Sequence, residues 1–312
     1  MNPAVRQAAD LLGRGGLVAF PTETVYGLGA DASSAAAIER LYAVKRRPGD
    51  HPVIVHFADA ARAFAWAREV PAAAHNLAAR FWPGPLTLVL KRAANVGDFV
   101  TGGQDTVGLR VPAHPLAREL LDAFGGGLAA PSANRFGRVS PTTAQHVRDD
   151  LGGDVDAVLD GGACGVGLES TIIDLSRERP VLLRPGGITA AQVEEVLGEP
   201  VGTPDAQAPR VSGSLMAHYA PRTPARLVAG QSLDAEIARL GNEAAVLAFG
   251  IPDERVDFWL GMPKDPAAYA QKLYAALREL DTTGARMLLI ELPPDLPEWQ
   301  AVLDRLRRAA RD

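Results

Sequence analysis

Short apolar runs with strand-like spacing alternate with helix-periodic segments along nearly the whole chain, and that alternation restricts the fold to the α/β class. Residues 4–12 set Val5, Ala8, Ala9, Leu11 and Leu12 on one helical face, which Gly13, Gly15 and Gly16 end. Leu17-Val-Ala-Phe20 then reads as a short buried strand, and Ser34 as the cap of a helix with the apolar face Ala37, Ile38, Leu41 and Val44. Val53–Phe57 reads as a strand, residues 60–81 as one or two helices, and Trp82-Pro-Gly-Pro85 as a turn. Strands are expected near 86–91, 106–111, 128–131, 157–160, 170–175 and 180–184, with helices near 114–124, from about Thr142, and over 189–197. Residues 1–199 thus form a first domain with a twisted, mixed sheet.

The pattern breaks over residues 200–224, where Pro200, Pro204, Pro209, Pro221 and Pro224 occur without a clear period. This stretch reads as an extended linker. From Ala225 the alternation resumes, with strands at 225–229, 244–249 and 286–291 and helices at 233–240, 266–280 and 297–310. Residues 225–312 therefore read as a smaller second α/β domain with a βαβ pattern.

Composition narrows the function. With 47% hydrophobic and 22% charged residues among 312, the chain can bury a core. Its 32 basic and 37 acidic residues leave a net charge of −5, so a protein that grips nucleic acid by bulk charge is not expected. Cys164 is the single cysteine, which excludes an intramolecular disulfide framework and Cys-rich metal sites. The N-terminal segment carries charges where a signal peptide needs an apolar run. The longest stretch without Asp, Glu, Lys or Arg, Ala123–Asn134, falls short of the roughly 20 apolar residues of a membrane span. A soluble, cytoplasmic protein is expected.

Several motifs point away from common chemistries. Gly27-Leu-Gly29-Ala-Asp-Ala32 matches a loose GxGxxA fingerprint, with Asp50 about 20 residues on. That fingerprint needs a strand running straight into the glycine turn, and Pro21–Tyr26 intervenes. There is no GxxxxGK[ST], HExxH or GxSxG, and the histidines lack metal-ligand spacing.

Polar residues instead collect where a plain core does not need them. Thr22, Glu23, Thr24 and Tyr26 follow the first strand, a position where open α/β sheets place ligands, although capping hydroxyls in a turn look the same. Lys45-Arg-Arg47-Pro48 stands between a helix end and a strand: three cations suit an anion, or simply the helix dipole. Strand alternation puts Thr106, Gly108 and Arg110 on one face, and a buried Arg110 needs either an anionic ligand or a carboxylate of the protein. Ser132, Asn134, Ser140 and Thr142 exceed what one helix cap requires. Glu169-Ser-Thr-Ile172 opens one strand, Arg184-Pro-Gly-Gly187 closes the next, and Met216-Ala-His-Tyr-Ala-Pro221 lies in the linker.

In this order the segments resemble the YrdC/Sua5 family of threonylcarbamoyl-AMP synthases. The matching pieces are Pro21-Thr-Glu-Thr-Val-Tyr-Gly27, Lys45-x-Arg47-Pro48 with Pro52, Trp82-Pro-Gly-Pro-Leu-Thr87, Arg110-x-Pro112, Pro131-Ser-Ala-Asn134, Glu169-Ser-Thr-Ile172 and Arg184-Pro-Gly186. His218-Tyr-Ala-Pro221, followed by a second α/β domain, resembles the longer Sua5 form. The resemblance implies a YrdC-like twisted mixed sheet with helices around an open cleft and a small Rossmann-like C-terminal domain. It implies that L-threonine, bicarbonate (or CO2) and ATP, with Mg2+, give threonylcarbamoyl-AMP and pyrophosphate, the first step of tRNA t6A37 modification. The product would pass to the tRNA threonylcarbamoyl-transferase machinery, with at most weak tRNA contact. By the same analogy Thr24, His56, Arg110, Ser132 and Ser170 hold L-threonine, with Arg110 on its carboxylate. Arg47, His51, Thr106, Asn134, Thr142, Arg184 and Tyr219 line the ATP site, and Lys45 and Arg47 carry the catalytic charge. His51 departs from the pattern, since many relatives have asparagine there. Tyr219 lies in the linker, which is expected to fold over the cleft as a lid. Two other readings are a non-catalytic double-stranded RNA or tRNA-binding module, and carbamoyl transfer in hydrogenase maturation. The acidic balance argues against the first and the single cysteine against the second.

Overall fold

The computed structural model describes residues 2–213 and 219–310. The chain divides into one unit of Met1–Phe136, Pro141–Gly165 and Glu169–Ser214, and another of Gly137–Ser140, Val166–Leu168 and Leu215–Asp312. The proline-rich stretch is thus shared between the two, and Met216, Ala217 and His218 of its motif lie outside the described residues.

The first unit holds nine strands: β1 (Val18–Phe20), β2 (Gly27–Asp31), β3 (Ile54–His56), β4 (Leu86–Lys91), β5 (Thr106–Arg110), β6 (Leu128–Ala129), β7 (Ala157–Val158), β8 (Thr171–Asp174) and β9 (Val181–Arg184). They form one sheet in the order β7-β1-β2-β6-β3-β5-β4-β8-β9. Pairs β7–β1, β3–β5 and β4–β8 are parallel and the other neighbours antiparallel, so the sheet is mixed, as expected.

Sequence alternation decides what each face meets. On β1, Leu17 and Ala19 join a large cluster with Ile38, Leu41, Leu77 and Leu109, while Val18 and Phe20 join a second with Val5, Leu12, Leu120, Leu121 and Leu128. The helices Pro3–Gly13 and Pro115–Phe124 supply most of that second cluster, so they cover this face near β1, β2 and β6. Farther along the same face the apolar contacts are Val89 and Ile172 with Val211, flanked by Ile54 and Leu183. No described helix contributes there; a linker residue does.

Two strands have no counterpart in the sequence reading. Gly27–Asp31, the segment matching the dinucleotide fingerprint, is β2, antiparallel to β1 with Gly29 opposite Val18. A Cβ on Gly29 would stand 2.9 Å from the Phe20 ring and 3.1 Å from the Val18 carbonyl oxygen, so its glycine serves close strand packing. The other is in the second unit, whose strands β10 (Ala225–Val228), β11 (Ala244–Ala248), β12 (Phe258–Gly261) and β13 (Met287–Glu291) form a parallel sheet in the order β10-β13-β11-β12. β12 is a half-exposed edge strand whose apolar run, Phe258-Trp-Leu260, is only three residues long and shows no alternation. The helices Gly230–Leu240, Pro266–Leu280 and Gln300–Ala309 complete this unit.

Candidate active site

The helix Ala35–Lys45 delivers the first cations. Ser34 caps it, and Ile38, Leu41 and Lys45 share its buried face at i, i+3, i+7 spacing. Arg46 ends it in the left-handed region at φ 53°, and Arg47 is buried beyond that turn. Lys45 Nζ donates to the carbonyl oxygens of Ser132 (2.5 Å) and Asn134 (2.6 Å). Burial, and then the charge of Arg47, push its ammonium pKa well below the ordinary lysine value. Arg47 Nη2 donates to the Pro52 carbonyl at 2.7 Å, and its guanidinium lies 5.5 Å from the ring centroid of Phe136. The His51 ring meets the same phenyl edge-on at 5.3 Å. Burial, then Arg47, lower the His51 pKa and favour its neutral form.

Strand registers align the second group. His56 is opposite Arg110, Ile54 opposite Gly108 and also Val89 opposite Gly108, while Thr87 is opposite Ile172 and Ile172 opposite Arg184. His56, Thr106, Arg110, Thr87 and Arg184 therefore belong to one face, with His56 nearest the helix-covered part through Leu128 and Phe20. Gly108 lies at its centre, where a Cβ would meet Ile54 and Thr87 at 3.5 Å.

Arg110 has a carboxylate of the protein beside it. Its Nη2 donates to Glu23 Oε1 (2.5 Å) and Thr24 Oγ1 (3.0 Å), and its Nε to the Gly84 carbonyl (3.3 Å). Gly84 belongs to the Trp82–Pro85 turn, where a Cβ would fall 2.2 Å from the Phe81 carbonyl oxygen. Glu23 Oε2 also accepts from the Ala113 amide at 2.9 Å. Burial alone would raise the Glu23 pKa, but the charge and hydrogen bonds of Arg110 outweigh it and hold the carboxyl below its ordinary value. Nη1 of Arg110 makes no hydrogen bond among the described residues. The adjacent His56 is buried with Nδ1 lacking a hydrogen-bond partner; burial, then Arg110, lower its pKa to about 3.

A third group closes the far end of the face. Thr87 Oγ1 and Ser170 Oγ are 2.7 Å apart. Arg184 donates through Nε and Nη2 to the Ser170 carbonyl (3.0 and 2.9 Å), through Nη2 to Ser170 Oγ (3.1 Å), and through Nη1 to the Ser212 carbonyl (2.8 Å). The Gln104 side-chain amide accepts from the Arg210 backbone N–H at 2.7 Å and donates to its carbonyl at 3.0 Å. Residues 210–212 thus lie over Ile54, Thr87, Thr106 and Ile172 and line a pocket with them.

Thr142 is buried, with its amide and hydroxyl 3.3 and 3.4 Å from His146 Nδ1. The helix Ala144–Leu151 is capped by Thr143, leaving Ser132, Asn134, Ser140 and Thr142 surplus to capping. Tyr219 belongs to the second unit, where its buried ring stacks 5.8 Å from that of Tyr274 and the Arg305 guanidinium lies 5.2 Å from its centroid. The other sequence-predicted site residues are all in the first unit. Sequence reasoning passed over Glu23, Thr87, Phe136, Gln104 and Arg210 as site residues; the first three stand inside segments it singled out. Among the described residues no three His, Cys, Asp or Glu side chains converge into a metal cage. The donors here are cations and hydroxyls, which suit an anion better than a bare divalent ion.

A family model described as telomere recombination (Sua5/YciO/YrdC) matches residues 10–186, and one described as the C-terminal domain of threonylcarbamoyl-AMP synthase matches 188–311. The chain is 40% identical to the threonylcarbamoyl-AMP synthase of Pyrococcus abyssi, over 98% of this chain and 94% of the relative. It is 39% identical to that of Bacillus subtilis, over 99% and 93%. The crystal structure of P. abyssi Sua5 complexed with L-threonine superposes with a TM-score of 0.90, at 39% identity, covering 98% of this chain and 94% of the other.

Proposed function

The chain belongs to the Sua5/YciO/YrdC family, and from that premise we infer that it is a threonylcarbamoyl-AMP synthase. It condenses L-threonine, bicarbonate or CO2, and ATP into threonylcarbamoyl-AMP and pyrophosphate, the first step of tRNA t6A37 modification. The observation that carries this reading is the sheet face that residues 210–212 overlie. There Arg110, Ser170 and Arg184 stand together, in a unit that also buries Lys45 and Arg47 beside Ser132 and Asn134.

Two bonds form in the reaction. The threonine amine attacks the carbon of CO2 and loses a proton, giving a carbamate. A carbamate oxygen then attacks the α-phosphorus of ATP as the bond to pyrophosphate breaks. Such a transfer needs positioning and charge neutralisation rather than a covalent nucleophile. Arg110 presents Nη1 to the threonine carboxylate, while Thr24, His56, Ser132 and Ser170 surround its amine and side chain. Lys45 and Arg47 meet developing charge on carbamate or phosphate, and an arriving anion offsets the burial and the Arg47 charge that lower the Lys45 pKa. His51, Thr106, Asn134, Thr142 and Arg184 line the nucleotide side. Mg2+ would arrive with ATP and neutralise part of the phosphate charge.

The carbamate is labile in water, so linker residues 210–212 exclude solvent by lying over the face. The product passes to the tRNA threonylcarbamoyl-transferase machinery, and the net charge of −5 limits direct tRNA contact to a weak one. No described helix is long and apolar enough to cross a membrane, and the substrates are those of the cytoplasm. Pyrophosphate release tests the reading: it should require L-threonine and bicarbonate together. Release that ignores either would refute it.

A further inference from the structure

The proton on Thr24 has a fixed direction, and Thr22 fixes it. Thr22 Oγ1 is 2.6 Å from the carbonyl oxygen of Val25, which only accepts, so Thr22 spends its one hydroxyl proton there. The 2.8 Å contact between the hydroxyls of Thr22 and Thr24 must then be a donation from Thr24 to Thr22. Arg110 Nη2 donates to Thr24 Oγ1 at 3.0 Å. Thr24 is left with no proton to give and one lone pair to offer. Both threonines are buried, so bulk water does not scramble this order.

We propose that Thr22 is a positioning residue that makes Thr24 an acceptor only, so that the hydroxyl binds an N–H of the substrate amine and leaves the nitrogen lone pair free to attack CO2. The proposal rests on the reading that Thr24 faces the amine of L-threonine. A hydroxyl with a free proton would donate it to the neutral amine and tie up the pair that forms the new bond. In the carboxylation step the nitrogen pair forms the N–C bond and one C–O π pair moves onto oxygen. The nitrogen loses one proton to solvent, and the carbamate anion remains. Arg110 Nη1, a donor only, faces the carboxylate, so donor and acceptor stand side by side in the polarity an amino acid needs.

Thr22→Val removes the acceptor and so returns a free proton to Thr24, and it also takes away the oxygen that the Thr24 and Val25 amides reach at 3.2 Å. Calorimetry with L-threonine gives affinity and binding stoichiometry, and steady-state assays normalised to that stoichiometry give kcat. The expected result is a threonine Kd within about threefold of the parent with kcat at least tenfold lower, and recovery of kcat in Thr22→Ser, which keeps the hydroxyl. Should Thr22→Val not fold, Thr22→Ala carries the same expectation. A kcat within threefold of the parent in the variant without the hydroxyl, or affinity and kcat lost together, as loss of the amide contacts to Thr22 would give whether or not serine restores them, would overturn the proposal and leave the enzyme assignment standing. Failure of the parent protein to bind L-threonine would instead bring down the functional reading, and this inference with it.

Discussion

Lys45 Nζ lies 2.5 Å from the carbonyl oxygen of Ser132, across 87 residues of sequence, and ties the end of one helix to the loop after β6. Burial, and then the charge of Arg47, lower the pKa of this ammonium, which the two carbonyls hold in place.

Removing that charge should cost catalysis more than binding. Lys45→Met is expected to lower kcat/KM by about two orders of magnitude, the size seen when one preorganised donor is lost. Lys45→Arg should fail to restore it, because a planar guanidinium does not fit the two carbonyls that the ammonium meets. Steady-state kinetics of both variants check this; activity retained in Lys45→Met would remove Lys45 from the mechanism.

Acid should destabilise the fold through His56. Its pKa falls from 6.5 to about 3 on folding, so the unfolded chain binds the extra proton and stability declines as pH drops below 6.5. Between pH 6.5 and 5 this amounts to about 2 kcal/mol. Urea unfolding at those two pH values should show the loss in the parent and a much smaller one in His56→Gln.

The linker over the sheet face is fastened by Gln104. Gln104→Ala removes both hydrogen bonds to the Arg210 backbone, together about 1–2 kcal/mol. Trypsin cleavage after Arg210 should then speed up about tenfold, with the rest of the digest unchanged. An unaltered rate at this bond would mean that the contacts of Val211, of Arg184 and of the Arg210 side chain with the Gly102 carbonyl hold the segment without Gln104.

Cys164 is buried, and that burial pushes its thiol up to about 12, away from a reactive thiolate. Iodoacetamide at pH 8 should leave the native protein unmodified and fully active, as intact mass and turnover would show. Rapid alkylation with loss of activity would contradict the packing.

Much of this was legible in the sequence, for stated physical reasons. Alternation placed Thr106, Gly108 and Arg110 on one face, and the structure keeps that face and adds His56, Thr87 and Arg184 by register. The helix Ala35–Lys45 was readable from its Ser34 cap and apolar spacing. β2 was not, because its glycines serve contact with Phe20 and erase the apolar run that marks a strand. The partner of Arg110 was equally hidden: Glu23 stood in a segment already singled out, but which carboxylate reaches an arginine 87 residues away is decided by topology. The surplus of hydroxyls around Ser132–Thr142 was visible, yet the helix cap proved to be the neighbouring Thr143. Tyr219 was read with the nucleotide site, and its packing against Tyr274 and Arg305 belongs to contacts from distant sequence.

The most direct test of the central claim is mass spectrometry of the products formed from ATP, Mg2+, L-threonine and 13C-bicarbonate, with L-serine as control. The account predicts threonylcarbamoyl-AMP carrying one 13C, with an equal amount of pyrophosphate, formed from threonine far better than from serine and abolished in Arg110→Ala. ATP consumed without a labelled adenylate, or a labelled adenylate that persists in Arg110→Ala, would contradict it.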